Sequence, residues 1–311
     1  MNRIPVILDC DPGHDDAIAM ILAHASPEIE ILGVTSVAGN QTVEKTTLNA
    51  QKLLTFLGLR VPIAKGLHKP LFRDLIIAPE VHGVTGLDGP DLPEPGFPLE
   101  DCSAVDLIAK LLRDSEGKVT LVPTGALTNI ALLLIAYPEL KDKIEQISLM
   151  GGAARGGNWT PAAEFNILVD PEAADIVFRS GLPIIMTGLG VSHKAIITRG
   201  DTERFREIGT KAAILAAELL DFFVTFHEEN FPQFGGSPIH DVCAVACLIR
   251  PDLFSSVRRH VEIDICGELT TGCTVTDMRA FLGAEPNTEL LTDVKRQEFV
   301  DFLAERFSML D

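Results

Sequence analysis

The stretch Val6-Ile7-Leu8-Asp9-Cys10-Asp11-Pro12-Gly13-His14-Asp15-Asp16-Ala17 decides the fold of this chain. An apolar run ends in acids, turns at Pro-Gly and enters a second apolar run over residues 17–23, which reads as strand, turn and helix. Four carboxylates crowd the turn. If buried, they must shift their pKa values, share protons or bind a cation, and hard oxygen ligands at the carboxyl end of a strand favour Ca²⁺ or Mg²⁺. A purely structural reading takes Asp15 and Asp16 as first-turn acids that offset the helix dipole. It leaves Asp9 and Asp11 without a purpose, so the segment is read as a metal site.

Outward from this unit, short β-rich runs alternate with helical periodicity. Strands are expected at 6–9, 31–37, 119–123, 147–150 and 183–187, with helices at 15–25, 43–57, 104–113, 129–135 and 171–179. This is the pattern of an α/β fold: an open, mostly parallel, Rossmann-like sheet flanked by helices. Beyond Ser192 the chain reads as a smaller, mainly helical part with an antiparallel hairpin at 261–275 and a closing helix near 296–306. No linker composition or internal repeat divides the chain, so residues 1–311 are expected to form a single domain. The strands end in Asp9-Cys10-Asp11, Val37-Ala38-Gly39-Asn40, Pro123-Thr124-Gly125 and Met150-Gly151-Gly152. In open α/β sheets ligands bind beyond the carboxyl ends of the strands, so these segments should converge on one crevice.

At 311 residues and 46% hydrophobic content the chain can bury a large core. A formal charge of −18 and a pI near 4.8 argue against a nucleic-acid partner, which would need a basic face. No signal peptide opens the sequence and no apolar run is long enough to span a bilayer, so a cytoplasmic protein with no membrane partner is expected. The six cysteines form no C-x-x-C pair. Cys243 and Cys247, four apart in an apolar helical stretch, read as small buried residues rather than zinc ligands.

Three further segments suit the crevice. Residues 80–98 form a long Pro- and Gly-rich loop carrying His82, and such loops inside compact domains are commonly functional. Asn158-Trp159-Thr160-Pro161-Ala162-Ala163-Glu164-Phe165-Asn166 gathers two amides, a carboxylate and aromatic rings; if extended, Glu164 and Asn166 point the same way and suit a polyhydroxylated ligand. The same asparagines could simply satisfy turns. In Gly235-Gly236-Ser237-Pro238-Ile239-His240-Asp241, a glycine-rich turn leads to an acid at the head of an apolar helix. Asp241 is either a plain first-turn acid or a further metal ligand.

Taken in order, the Asp9–Ala17 segment, the Val-Ala-Gly-Asn ending at Asn40, the His82-Gly83 loop with Gly86-Leu87-Asp88-Gly89, the Pro123-Thr124-Gly125 turn, the 158–166 segment and His240-Asp241 resemble the nucleoside hydrolases. The resemblance spans nearly the whole chain; the His82 loop and His240 resemble in particular the bacterial pyrimidine-preferring ribonucleoside hydrolases. It implies Ca²⁺ held by Asp11, Asp16, Asp241 and the main-chain carbonyl of Thr124, with water and the ribose 2′ and 3′ hydroxyls completing the shell. Asp11 would take the proton from the water held there. Asp15, Asn158, Glu164 and Asn166 would hold the ribose hydroxyls, Asn40 would place water and sugar, and Asp9 would stand behind the ligands. The resemblance also implies a homotetramer.

Such an enzyme cleaves an N-glycosidic bond through an oxocarbenium-like sugar, so negative charge, an activated water and help for the departing base are required. Many polar groups on the ribose fix and distort it. Attack by water inverts the anomeric carbon. His82 and His240 are the candidates for assisting the base, since imidazole titrates near neutral pH. The chain departs from the family's pattern at two places. Its only tyrosine, Tyr137, lies far from these segments, which leaves His227, Phe231 or Phe234 for the base wall beside Phe165. Gly190 stands in Leu189-Gly190-Val191-Ser192 where the family often has Asp. A haloacid-dehalogenase-type phosphatase would need Thr or Val at Gly13, and an EF-hand would need Glu at Met20. A non-catalytic nucleoside-binding protein is the rival from another class.

Overall fold

Strand β1 (Ile4–Cys10) is buried from Val6 onward on both of its faces, as a central parallel strand must be, and this explains its unbroken apolar run. A computed structural model describes residues 3–311. The other strands are β2 (Ile29–Ser36), β3 (Ile63–Ala64), β4 (Val119–Pro123), β5 (Ile144–Met150), β6 (Ile184–Thr187), β7 (Ile196–Ile197), β8 (Ser237–Pro238), β9 (Phe254–Arg259), β10 (Val261–Ile263), β11 (Thr274–Thr276) and β12 (Thr288–Val294). Eight of them form one sheet in the order β3-β2-β1-β4-β5-β6-β12-β9. Every neighbouring pair is parallel except β12 with β9. The α/β expectation therefore holds.

Side chains alternate between the two faces. Leu8 and Val122 join a core built with helices His14–Ala25, Lys211–Asn230, Val242–Ile249 and Arg296–Phe307. Ile7 and Leu121, paired across β1 and β4, join the opposite core under helices Ala104–Asp114, Thr128–Ala136 and Pro171–Phe178. From β1 the chain first builds outward to β2 and β3, then returns to the other side with β4, β5 and β6. The sheet's switch point is thus the β1/β4 pair, where Asp9 is in register with Pro123. Asp11 and Thr124 lie just beyond, where the topology opens a crevice.

The C-terminal part differs from expectation. Its hairpin (β10 with β11) and closing helix Arg296–Phe307 are present, but β12 runs back into the main sheet beside β6, with β9 at the edge. Adjacent Leu290 and Leu291 are both buried, and the pairing with β9 shifts register between Leu291 and Asp293. That irregularity breaks the period-two signal that would have marked the strand. The 80–98 loop begins with a single helical turn, Pro79–His82. Among the described residues no helix is long and apolar enough to cross a membrane.

Candidate active site

Asp9, the penultimate residue of β1, is fully buried, with Oδ1 accepting from Thr35 Oγ1 at 2.6 Å and Asn129 Nδ2 at 2.7 Å, while Oδ2 has no partner. Burial pushes its pKa up to about 6 in spite of those bonds. Two residues on, Asp11 Oδ2 accepts the Asn40 main-chain N–H at 2.6 Å, and Oδ1 is buried without a partner. Gly39 and Gly125 cradle this carboxylate so closely that a Cβ on either would run into it. Asp16, in the first turn of helix His14–Ala25, accepts the Gly13 N–H at 3.0 Å, Asn40 Nδ2 at 3.1 Å and the Thr124 hydroxyl at 2.7 Å. It therefore caps the helix and joins three strand ends at once.

Asp15, Asp16 and Asp241 each offer a carboxylate oxygen within 4.8 Å of the others, all buried. Asp15 also accepts the His240 main-chain N–H at 3.1 Å. Burial first, then the Asp16 charge, pushes Asp15 up to about 7. Burial and neighbouring carboxylates likewise hold Asp11 and Asp241 well above the ordinary range, and burial raises Asp16. So much negative charge calls for a cation. The donor set is oxygen only and includes the unpartnered Asp11 Oδ1, which fits a hard divalent ion better than zinc. The Thr124 carbonyl accepts Asn166 Nδ2 at 2.7 Å and keeps a second lone pair. The expected ligand set had Asp11 where this grouping has Asp15; Asp11 lies outside the grouping and off the cavity wall.

Above the carboxylates opens a cavity of about 790 Å³, a size suited to a small polar ligand. Asp15, Asn40, His82, Thr124, Asn158, Glu164, Phe165, Asn166, His227, Phe231, His240 and Asp241 all line it. The 158–166 segment is not extended. Glu164 caps helix Phe165–Val169, accepting N–H groups of Gly152 at 2.8 Å, Asn166 at 3.0 Å and Ile167 at 3.2 Å, because an acid ahead of an apolar helical run satisfies its free amides. Asn158 Oδ1 accepts the Phe165 N–H at 2.9 Å. A turn, rather than strand alternation, brings the three polar residues to the cavity.

Histidines line the same cavity. His240 Nδ1 lies 2.7 Å from Ser192 Oγ, and His227 Nδ1 lies 2.9 Å from the Phe223 carbonyl and 3.0 Å from Ser237 Oγ. Burial lowers His82 and His240 well below the ordinary imidazole value and His227 to about 4, so all three are neutral near pH 7. Rings of Phe226, Phe231 and Phe234 surround His227. Several residues of the site went unassigned in the sequence. His193 packs on Phe234 and His240, Trp159 packs on Phe165, and Ser192 supports His240. Gly39, Gly125 and His14 sat inside quoted motifs, which was the available signal.

Residues 6–301 match the family model described as inosine-uridine preferring nucleoside hydrolase. Over 306 residues the chain is 56% identical to the pyrimidine-specific ribonucleoside hydrolase RihA of Enterobacter sp. (strain 638), covering 98% of each chain. Identity to RihA of Escherichia coli O7:K1 is 56% over 304 residues, covering 97% of this chain and 98% of that one. In three dimensions it is similar to a purine-preferring ribonucleoside hydrolase from Gardnerella vaginalis, with a TM-score of 0.91, 35% identity and 98% of each chain covered. A plant nucleoside hydrolase, PpNRh1, gives 0.89 at 31% identity, covering 98% and 99%. A carboxylate-floored cavity at the switch point, facing a wall of amides and neutral imidazoles, is what water-driven cleavage of a sugar–base bond requires. The chain belongs to the inosine-uridine preferring nucleoside hydrolase family and is an N-glycosyl hydrolase of nucleosides.

Proposed function

We propose that this enzyme hydrolyses pyrimidine ribonucleosides, uridine and cytidine, to free base and ribose, with Ca²⁺ held by Asp11, Asp16, Asp241 and the Thr124 carbonyl. The observation that carries the chemistry is the buried carboxylate cluster, in which Asp11 Oδ1 and Asp9 Oδ2 have no partner, beside a cavity lined with hydrogen-bonding side chains. Pyrimidine preference is supported by 56% identity over 98% of the chain to a pyrimidine-specific relative. When bound, the cation supplies positive charge that acidifies a water and orients the ribose diol.

Asp11 Oδ1, buried and without a protein partner, receives the proton of the attacking water. Asn40 holds the other oxygen of Asp11 and so aims the first. Asp15, Asn158, Glu164 and Asn166 bind the ribose hydroxyls, and the carboxylates of Asp15 and Glu164 favour the oxocarbenium-like sugar. His82 and His240 attend the departing base, with Phe165, His227 and Phe231 lining its end of the cavity. A homotetramer and a cytoplasmic location belong to the same reading. The location is supported by six cysteines that are all unpaired, as in a reducing compartment.

Release of uracil and ribose from uridine, before and after exhaustive chelation, tests the proposal. Uracil should accumulate, stop on chelation and resume with added Ca²⁺. Tight uridine binding with no base release under any metal condition would identify a nucleoside-binding protein instead.

A further inference from the structure

Gln41, Lys45 and Asn49 follow one another at intervals of four, so their side chains line one side of helix Val43–Phe56 and its approach. That side meets the loop leaving His82. Asn49 Nδ2 donates to the Thr85 carbonyl at 3.0 Å, and Gln41 Nε2 donates to the Gly83 and Val84 carbonyls at 3.2 Å each. Lys45 Nζ adds an exposed bond to the Val84 carbonyl at 2.6 Å. Carbonyls only accept, so the amide atoms that face them are the nitrogens, and three successive main-chain oxygens of the loop are gripped by side chains. From within the loop the Asp88 carboxylate accepts the Val84 and Thr85 N–H groups at 2.9 Å. The loop also lies tight against the grip: a Cβ on Gly86, which has a φ of 88°, would sit 3.0 Å from Asn49 Nδ2 and 3.1 Å from Gln41 Cγ.

Asn49 has a second attachment. Its Nδ2 also donates at 3.1 Å to the carbonyl of Pro12, in the turn between Asp11 and Asp15. One buried amide therefore joins the turn that carries the carboxylates, 37 residues before it, to the loop that carries His82, 36 residues after it. Gln51 makes a useful contrast on the same helix. Its amide donates at 3.0 Å to the carbonyl of Phe97, a residue that does not line the cavity.

We propose that Asn49 and Gln41 are positioning residues that latch the His82 loop to the carboxylate turn, and so set where His82 meets the nucleobase relative to the ribose. His82 is buried and lines the cavity, so a shift of the loop shifts that wall. The inference rests on the reading that His82 attends the base.

Kinetics of the Ca²⁺-loaded variants on uridine and on p-nitrophenyl riboside, whose phenolate leaves without help at the base end, test this latch. Gln41→Met releases the loop alone, and should lower kcat/KM for uridine about tenfold, the worth of a buried hydrogen bond, with the aryl riboside near wild type. Asn49→Leu releases the turn as well, and should lower both substrates, uridine about tenfold more than the other. Gln51→Leu cuts a like bond outside the cavity and should keep the wild-type ratio. In a His82→Ala background the ratio should already be low, and Gln41→Met should lower it no further, because the latch acts through that ring. A full further fall there would overturn the proposal. So would an unchanged ratio in both Gln41→Met and Asn49→Leu when His82→Ala lowers it, an outcome that leaves the base contact standing. An unchanged ratio in His82→Ala would refute the base contact and the proposal with it. Amide hydrogen exchange over residues 83–88 should quicken in Gln41→Met and not in Gln51→Leu; wild-type exchange in Gln41→Met would refute the latch whether or not Asn49→Leu folds.

Discussion

Asn40 donates its main-chain N–H to Asp11 at 2.6 Å, which immobilises one oxygen of that carboxylate and leaves the other buried with no partner. An ionisable oxygen in that position has work to do only when a proton or a cation arrives. Asp11→Ala should therefore lower kcat by about 10²-fold or more, with circular dichroism little changed. A variant keeping more than about a tenth of wild-type kcat would remove Asp11 from the general-base role.

The cradle around Asp11 makes a second, sharper prediction. A Cβ on Gly125 would strike Asp11 Oδ1 and approach Val37 Cγ1 at 3.0 Å, whereas a Cβ on Gly190 meets nothing within 4 Å. Gly125→Ala should cost about 10²-fold in kcat by displacing the carboxylate, and Gly190→Ala should stay near wild type. Similar kinetics for the two variants would mean that the position of Asp11 is not critical.

Oxygen-only ligation predicts the metal. Exhaustive chelation should inactivate the enzyme, and Ca²⁺ should restore it better than Zn²⁺. Metal analysis of active protein showing one zinc per chain and no calcium would contradict the ligand set.

Stability of the chelated protein should fall as pH rises. Burial pushes Asp15 up to about 7 and Asp9 up to about 6 in the folded state, against about 3.9 for an unfolded Asp. The folded form thus binds these protons more tightly, so their stabilising contribution is complete below about pH 4 and is lost as pH climbs through 6 to 7. The Tm without metal should drop between pH 5 and 8, Asp15→Asn should flatten that drop, and saturating Ca²⁺ should oppose it because the ligands bind deprotonated. A chelated wild-type Tm that rises over this window would show that the cluster is not strained by its own charge.

Much of the fold was legible because buried parallel strands and polar strand ends leave distinct marks. Residues 6–9 and 119–123 read as strands from their apolar runs, the structure makes both central, and the acids around the first could not be idle. The return of β12 was not legible, since a register shift at Leu291 and Asp293 erased its alternation. Glu164 and Asn166 were assigned to the cavity through an extended segment, but a helix cap puts them there, because local backbone amides outcompete alternation. Asp15, Asp16 and Asp241 offer carboxylate oxygens within 4.8 Å of one another, a proximity between segments far apart in the chain that no spacing rule resolves. His14 was given no role because its partners, His82 and Asp88, lie some seventy residues on.

The central claim is hydrolysis of pyrimidine ribonucleosides at a metal-bearing carboxylate floor, and steady-state kcat/KM for uridine, cytidine, inosine and adenosine on the Ca²⁺-loaded enzyme tests it most directly. The account predicts that uridine and cytidine exceed both purine nucleosides by about tenfold or more, a gap of at least one well-placed base contact. Inosine equal to or better than uridine would contradict the pyrimidine assignment, and no base release from any of the four would contradict the enzyme.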